Sequence, residues 1–114
     1  MLERVIEVDK AAHILKLLGD QKRLTMLKLM DNHACCVCDF VKIFQISQPA
    51  VSQHLRKLKD LGLVYEERRG QWIFYSIDKE HEYYSFVHLV LEQLPSQDDK
   101  FKKLEEEGIR TSCC

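Results

Sequence analysis

Apolar residues recur every three or four positions along most of this 114-residue chain, the spacing that places them on one face of an α-helix. Gly19, the polar residues 31–33 and Gly62 interrupt that pattern and divide it into segments. The pattern predicts helices over residues 3–18, 20–30, 36–44, 47–61 and 79–94, with a weaker one over 98–107. Asp20, Cys36 and Ser47 are the predicted N-caps.

Residues 63–68 and 72–77 are instead rich in β-branched and aromatic side chains, and a Gly-containing connection separates them, which predicts a β-hairpin. Its basic tip carries Arg68 and Arg69. Behind a helix-turn-helix, such a hairpin is a wing whose arginines can reach DNA phosphates or the minor groove; taken alone, it is equally a solvated charged turn. The predicted fold is an α+β winged helix-turn-helix, mostly helical with one hairpin.

The helix over residues 47–61 has the features of a DNA-recognition helix. Pro49 stands in its first turn, where a missing N–H costs nothing, and Val51, Leu55 and Leu58 form one apolar stripe. The opposite side then carries hydrogen-bonding side chains that fit base edges in a major groove, although an ordinary amphipathic helix also has a polar outer face. The candidate DNA contacts are Ser47, Gln48, Ser52, Gln53, His54, Arg56, Lys57, Arg68 and Arg69.

Three of the five cysteines lie about ten residues before that helix. With Cys36 at the N-cap, Asp39 falls at the third helical position, where a capping box places its carboxylate. The helix dipole and the free backbone N–H groups favour a thiolate there, and thiolates bind soft metals. The candidate metal ligands are Cys35, Cys36 and Cys38, with Cys113 and Cys114 of the tail as further candidates.

Length and composition predict one compact domain. Residues 1–95 are expected to form the DNA-binding and dimerisation domain, and residues 96–114 a helical extension with a Cys-Cys tail. Because a chain of this size buries a limited share of its surface, we expect the first helix and the helix over 79–94 to complete their burial in a homodimer.

The sequence predicts a cytoplasmic protein. No run of 18 apolar residues occurs, so no membrane span is expected. Residues 1–10 lack the apolar centre of a signal peptide. In a reducing compartment, cysteines serve metal binding or redox chemistry more often than structural disulfides.

The net charge of −1 hides an uneven distribution. Residues 47–71 carry five basic against three acidic side chains, whereas residues 78–107 carry nine acidic side chains against four lysines. The positive surplus therefore lies where the DNA-binding face is predicted.

The order of elements, with the segments 36–39, 47–55, 61–64 and 69–75, resembles the ArsR/SmtB family of metal- and metalloid-responsive repressors. The resemblance covers residues 10–94. It implies a homodimer that binds an inverted-repeat operator in double-stranded DNA and releases it when an inducer binds, with no resident cofactor.

The cysteines depart from the best-known arsenite sensors of that family, which have Cys-Val-Cys-Asp-x-Cys, because position 41 is Val41 here. Trivalent arsenic binds three thiolates, so the third must come from Cys35 or from the tail. In a regular helix Cys36 and Cys38 point about 200° apart, and all three sulfurs converge only if the first turn unwinds. That distortion would move the recognition helix and release DNA.

Three inducers remain in consideration. Trivalent arsenic or antimony leads, because a cysteine-only site favours soft ions. Cadmium or lead comes next, with a fourth ligand from the tail. Thiol oxidation or persulfide formation is third. A tail without any ligand role is an equal alternative for Cys113 and Cys114.

Other classes of function fit less well. The family's zinc pattern is absent around His81 and His88, which we interpret as interface or surface histidines. The Cys-x-x-Cys at residues 35–38 follows a predicted helix, whereas a thiol oxidoreductase needs a strand there. A structural zinc site lacks four well-spaced ligands. No catalytic constellation occurs, so we expect no enzyme.

Overall fold

The computed structural model describes residues 5–106, with side chains for residues 5–104. In chain order the elements are α1 (Val8–Leu18), α2 (Gln21–Met30), β1 (Cys35–Cys36), α3 (Val37–Phe44), α4 (Gln48–Leu61), β2 (Val64–Arg69), β3 (Trp72–Ile77), α5 (Tyr84–Glu92) and α6 (Asp99–Glu106). The predicted winged helix-turn-helix is confirmed: α3 and α4 are the helix-turn-helix pair, and β2 with β3 is the wing.

Two predicted N-caps set the starts of α2 and α4. Asp20 Oδ1 accepts the backbone N–H groups of Lys22 at 2.9 Å and Arg23 at 3.1 Å. Ser47 Oγ accepts the N–H of Ala50 at 3.2 Å. Each cap satisfies helix-terminal N–H groups that have no partner inside the helix, so both helices begin where the sequence predicts.

Glycine fixes the end of α4 and the turn of the wing. Gly62 has φ +92°, and a Cβ added there would lie 2.5 Å from Nε2 of His81. Gly70 has φ +64° and opens the two-residue turn between the paired residues Arg69 and Trp72. Both positions require the backbone conformation that glycine adopts without steric cost.

The sheet contains a strand that the sequence analysis missed. Cys35 pairs with Tyr75 and Cys36 with Phe74, so β1 adds to β3 and the strand order is β1-β3-β2. A two-residue strand is too short to show a period of two, and its pairing lies about 40 residues away along the chain. Cys35 and Cys36 are therefore extended, and the helical angles assumed between the three cysteines do not apply.

The helical spacing of Val5, Val8, Leu15 and Leu18 predicts one buried face for the first helix, and of these four residues only Leu18 is buried. Ile14 and Leu18 are buried, whereas Val5 and Val8 are 87% and 84% exposed and Leu15 is 49% exposed. Two apolar registers exist on this helix, and the single chain covers only one of them. Leu89 of α5 is also 62% exposed, so both α1 and α5 leave apolar side chains on the surface.

Helix α5 is shorter than the predicted helix over 79–94, because residues 78–83 form turns. Asp78 Oδ1 accepts the Glu80 N–H at 3.0 Å. The helix is also anchored on α2, which the sequence did not predict. The Tyr84 hydroxyl donates to Asp31 Oδ1 at 2.7 Å, and burial together with that carboxylate raises the pKa of Tyr84 to about 12.

Helix α6 packs into the same core as the rest of the domain. Phe101 and Leu104 are 2% and 5% exposed and belong to one apolar cluster with Phe40 of α3 and Val51 of α4. His33 Nε2 lies 2.9 Å from Asp98 Oδ1, just before α6. Helix α6 thus shares the core of the preceding domain. Cys113 and Cys114 of the tail lie outside the described residues. No helix between residues 5 and 106 is long and apolar enough to cross a membrane.

Removing the largest α6 side chain should destabilise the whole domain. We expect Phe101→Ala to lower the free energy of unfolding by about 3–5 kcal/mol, because it empties a fully buried site. This free energy is measured by urea unfolding at fixed protein concentration. The signal is the fluorescence of Trp72 in β3, an element distant in sequence from the substitution.

Lys102→Ala is the control. The Lys102 side chain is next to Phe101 in the chain but is exposed, so its removal should change the free energy of unfolding by no more than about 0.5 kcal/mol. A Phe101→Ala protein whose Trp72 transition is unchanged would show that α6 is not part of the cooperative unit.

Candidate functional site

The outer surface of α4 carries polar side chains that the sequence predicts there. Val51, Leu55 and Leu58 are at most 1% exposed and hold the helix against the core. We call the opposite, exposed surface the recognition face; its members are Gln48, Ser52, Gln53, Arg56 and Lys57. The Ser47 side chain is also exposed, but its hydroxyl caps the helix.

His54 does not lie on the recognition face, which revises its predicted role. Its ring is half-buried, and its Nδ1 lies 3.1 Å from Nη1 of Arg23 on α2. Position 54 stands three residues after Val51, so helical geometry turns it toward the core stripe. His54 therefore contacts the body of the domain instead of the outer surface.

Two ion pairs neutralise the acidic residues of the wing. Lys59 of α4 pairs with Glu66 of β2, and this hydrogen bond lowers the pKa of Glu66 and raises that of Lys59. Arg69 pairs with Glu67 at 2.8 Å and lies 4.8 Å from the Phe74 ring centre. The first contact joins the wing to α4, and the second holds Arg69 along the hairpin.

The remaining cations of this surface are available for a ligand. Among the residues that the structure describes, Arg56, Lys57 and Arg68 form no ion pair within 4.0 Å, and all three are exposed. Exposed guanidinium and ammonium groups beside hydrogen-bonding side chains match the chemistry of a DNA backbone and its base edges.

The cysteines lie where the sheet meets α3. Cys36 is the N-cap of α3, and Asp39 Oδ2 accepts its backbone N–H at 3.0 Å. This arrangement confirms the predicted capping box. Cys38 lies in the first turn, and Cys35, Cys36 and Cys38 are 0%, 4% and 4% exposed.

Cys35 has different surroundings from Cys36 and Cys38. Successive strand residues point to opposite faces, and Cys35 belongs to the apolar core cluster, with Sγ 3.4 Å from the His33 carbonyl oxygen. Cys36 and Cys38 are both disulfide-bonded. Within residues 5–104, no three His, Cys, Asp or Glu side chains are arranged to hold a metal ion. The described residues therefore do not bring the three predicted ligands together.

A short connection joins the cysteine helix to the recognition helix. Helix α3 ends at Phe44, Gln45 adopts a left-handed conformation with φ +54°, and α4 begins at Gln48. The buried Phe40 of α3 and Val51 of α4 belong to the same apolar cluster. A displacement of α3 is consequently transmitted to α4 through both the connection and the packing.

Sequence reasoning missed two polar residues beside these elements. Arg23 is only 9% exposed, and its spacing to Met26, Leu27 and Met30 places it on the buried face of α2. That spacing is a signal that was present in the sequence. His33 contacts Asp98 and the Phe101 ring, and no local pattern indicates that pairing.

Known proteins share sequence with this chain over the same elements. Residues 20–66 match the family model described as bacterial regulatory protein, arsR family. Over 70 residues, 43% are identical to an uncharacterised HTH-type transcriptional regulator of Methanocaldococcus jannaschii, covering 60% of this chain and 79% of that protein. Over 110 residues, 31% are identical to the arsenic resistance transcriptional regulator ArsR2 of Pseudomonas putida, covering 89% and 94%.

A further relative is a homologue of the cadmium resistance transcriptional regulatory protein CadC of Staphylococcus aureus. The identity is 35% over 71 residues, covering 61% of this chain, and the chain spans only 59% of that protein.

Solved structures have the same fold. Reduced HlyU from Vibrio cholerae superposes with a TM-score of 0.64 at 28% identity, covering 75% of this chain and 88% of that one. The transcriptional repressor BigR from Xylella fastidiosa gives a TM-score of 0.67 at 26% identity, covering 75% and 84%.

The capping box yields a direct test of the cysteine environment. Asp39→Ala removes the acceptor of the Cys36 N–H, so we expect about 0.5–2 kcal/mol of lost stability, the typical value of a helix cap. In reduced protein, the thiols of Cys36 and Cys38 should also react faster with a disulfide reagent, because the first turn of α3 opens more often.

Asp99→Ala is the matched control, since it removes an exposed carboxylate from the first turn of α6. Equal thiol reaction rates in the Asp39→Ala and wild-type proteins would argue that the box does not hold the cysteine turn closed.

Proposed function

Because the chain belongs to the ArsR family of bacterial transcriptional regulators, we propose that it is a repressor that leaves its operator when trivalent arsenic or antimony binds its cysteine thiolates. The observation that carries this proposal is the position of Cys36 and Cys38 at the start of α3, the helix that a three-residue connection joins to α4. Ion binding at that start and DNA binding by α4 would act on one packed pair of helices.

The recognition face supports contact with base edges. Gln48, Ser52 and Gln53 supply amide and hydroxyl groups, and Arg56 supplies a guanidinium that can bind guanine with two hydrogen bonds. Ser47 at the N-cap stands where a helix N-terminus can approach a phosphate. The proposed phosphate or minor-groove contacts are Lys57, Arg68 and Arg69. Arg69 must first break its ion pair with Glu67.

The uncovered apolar side chains of α1 and α5 support a homodimer. Val8 and Leu15 of α1 and Leu89 of α5 are exposed in the single chain. Burying them against a second copy would stabilise the pair and set two recognition helices in two-fold symmetry. Such a dimer reads an inverted repeat in double-stranded DNA.

Trivalent arsenic or antimony fits a ligand set made of sulfur alone. Cys36 and Cys38 supply two ligands from one turn of chain. The third ligand is Cys35, which must turn out of the core, or Cys113 or Cys114. Either choice requires that α3 or its flanking chain rearrange, and this rearrangement is the proposed signal for release.

Two alternatives each have one supporting observation. The cadmium resistance relative favours cadmium or lead as inducer. The disulfide state of Cys36 and Cys38 favours a thiol oxidation sensor on the same fold.

Operator binding should depend on Arg56. We expect Arg56→Ala to weaken binding about tenfold or more, because a guanidinium contact to a base contributes about 1–3 kcal/mol. The measurement is fluorescence anisotropy with a sequence selected from a randomised double-stranded library, at fixed salt.

Lys102→Ala, which removes an exposed cation of α6, should leave this affinity unchanged within a factor of about two. Equal affinity of the Arg56→Ala and wild-type proteins would show that Arg56 does not contact the operator. Failure to select any sequence would contradict the proposed repressor function itself.

Inducer response should depend on Cys38. We expect Cys38→Ser to retain operator binding and to lose release by arsenite, because serine does not supply a thiolate ligand. Native mass spectrometry of reduced wild-type protein with equimolar arsenite should show an adduct that has lost three protons.

The same spectra without residues 113–114 identify the third ligand. Survival of the adduct assigns Cys35, and its loss assigns the tail. A preferred cadmium or lead adduct would favour the metal alternative, and the absence of every adduct would favour redox sensing.

A further inference from the structure

Arg23 joins three helices through one buried guanidinium. It is 9% exposed and stands in the first turn of α2. Its Nε donates to the carbonyl oxygen of Leu17, near the end of α1, at 2.8 Å. Its Nη1 lies 3.1 Å from His54 Nδ1, in the middle of α4. This group is therefore a polar contact between the recognition helix and the α1–α2 corner.

The contact specifies the protonation state of His54. A guanidinium only donates hydrogen bonds, so Nδ1 of His54 must accept one and carries no proton. The imidazole is then neutral, with its proton on Nε2. Protonation of Nδ1 would point the N–H of His54 at an N–H of Arg23. It would also place the positive imidazolium beside the positive guanidinium, with their nitrogens 3.1 Å apart.

The surroundings of His54 favour the neutral ring. From α2 it faces Arg23 and Lys22, from α4 it faces Lys57, and the opposing charge among the described groups that act on it is Asp20, the N-cap of α2. Burial, reinforced by the three cations, lowers the pKa of His54 below its ordinary value, although the Asp20 carboxylate opposes this effect.

Two further observations define this corner. The groove beside Arg23 and Lys57 is also lined by His13, Lys16 and Asp60. The pKa of Asp20 is lowered, chiefly by the backbone hydrogen bond from Arg23, so its carboxylate stays charged while the helix cap is formed.

The position of His54 makes the contact relevant to DNA. Gln53 precedes it, and Arg56 and Lys57 follow within one turn, all three exposed. The apolar stripe sets which side of α4 faces outward, and a directional hydrogen bond at His54 adds a constraint on the rotation of the helix about its own axis.

We propose that Arg23 is a positioning residue for operator recognition: it holds neutral His54 and so fixes the rotation of α4, and protonation of His54 releases the contact and weakens DNA binding. This inference rests on the proposed repressor function, because it describes how the recognition face is held. The effect is distinct from inducer release, since it needs no cysteine.

The direction with pH follows from proton linkage. The unfolded chain protonates His54 near its ordinary pKa of about 6.5, and the folded domain resists protonation. The stabilising contribution of the contact is thus present above that pH and is lost as the pH falls below it. Operator affinity should fall only where the folded domain itself protonates His54, which lies below that ordinary pKa because the pKa of His54 is lowered.

The experiment measures operator affinity stepwise from about pH 8 to about pH 5 in the intact chain, at constant ionic strength, with the library-selected sequence. Wild-type protein should lose at least about fivefold more affinity on acidification than His54→Gln, fivefold being the lower end of typical coupling between sites. The glutamine of that variant does not titrate and still offers an oxygen to Arg23.

His13→Gln is the matched control, because it removes a neighbouring titratable ring that lacks the Arg23 contact, and it should keep the wild-type pH profile. Arg23→Lys should also flatten the profile, since an ammonium does not reproduce the two-pronged guanidinium geometry. Nitrogen-15 spectra of wild-type protein should show His54 with its proton on Nε2 at about pH 8.

Parallel pH profiles of the wild-type and His54→Gln proteins, or a His54 ring protonated on Nδ1 at high pH, would overturn the inference while operator binding itself stands. A wild-type protein that binds no selected sequence at about pH 8 would overturn both the inference and the proposed function.

Discussion

The burial of one apolar stripe on α4 is the interaction on which the rest of this structure depends. Val51, Leu55 and Leu58 are almost fully buried, and each such side chain contributes about 1.5–3 kcal/mol when it leaves water. This burial fixes α4 against the core shared by α2, α3 and α5. Every outward residue of the recognition face is set by the phase of that stripe, because a helix has only one angular register. The polar groups of the site therefore occupy the positions that apolar packing leaves to them.

Features determined within a few residues of chain were predictable from the sequence. The caps at Asp20 and Ser47 and the capping box of Cys36 and Asp39 involve partners at most three residues apart, so their residue types are sufficient signals. The hairpin was predictable for the same reason, since Gly70 specifies its turn. These local signals agree with the apolar period, and the predicted elements accordingly match the structure in order and type.

Features that depend on distant partners were not predictable. Strand β1 exists because β3 offers it a pairing edge, and two residues show no period of their own. Helix α1 carries two apolar registers, and only the folded chain shows that Ile14 faces the core while Val8 does not. His54 was predicted as a DNA contact, but Arg23, 31 residues earlier, holds it against α2. In each case a tertiary contact decides between interpretations that the local sequence leaves equal.

Under the proposed function, the position of the cysteines limits how an inducer can act. A helix cap contributes about 0.5–2 kcal/mol, so disrupting the capping box of α3 alone would change operator affinity by roughly 2- to 30-fold. Allosteric coupling typically spans about 1–3 kcal/mol, so the upper part of that range requires more than a frayed turn. The additional free energy must come from packing that links α3 to α4, and Phe40 and Val51 share that packing. Cys35 lies in the same core, so drawing its sulfur toward Cys36 and Cys38 would disturb the packing directly, whereas a third ligand from the tail would leave Cys35 in place. The identity of the third ligand therefore determines the size of the response as well as the geometry of the site.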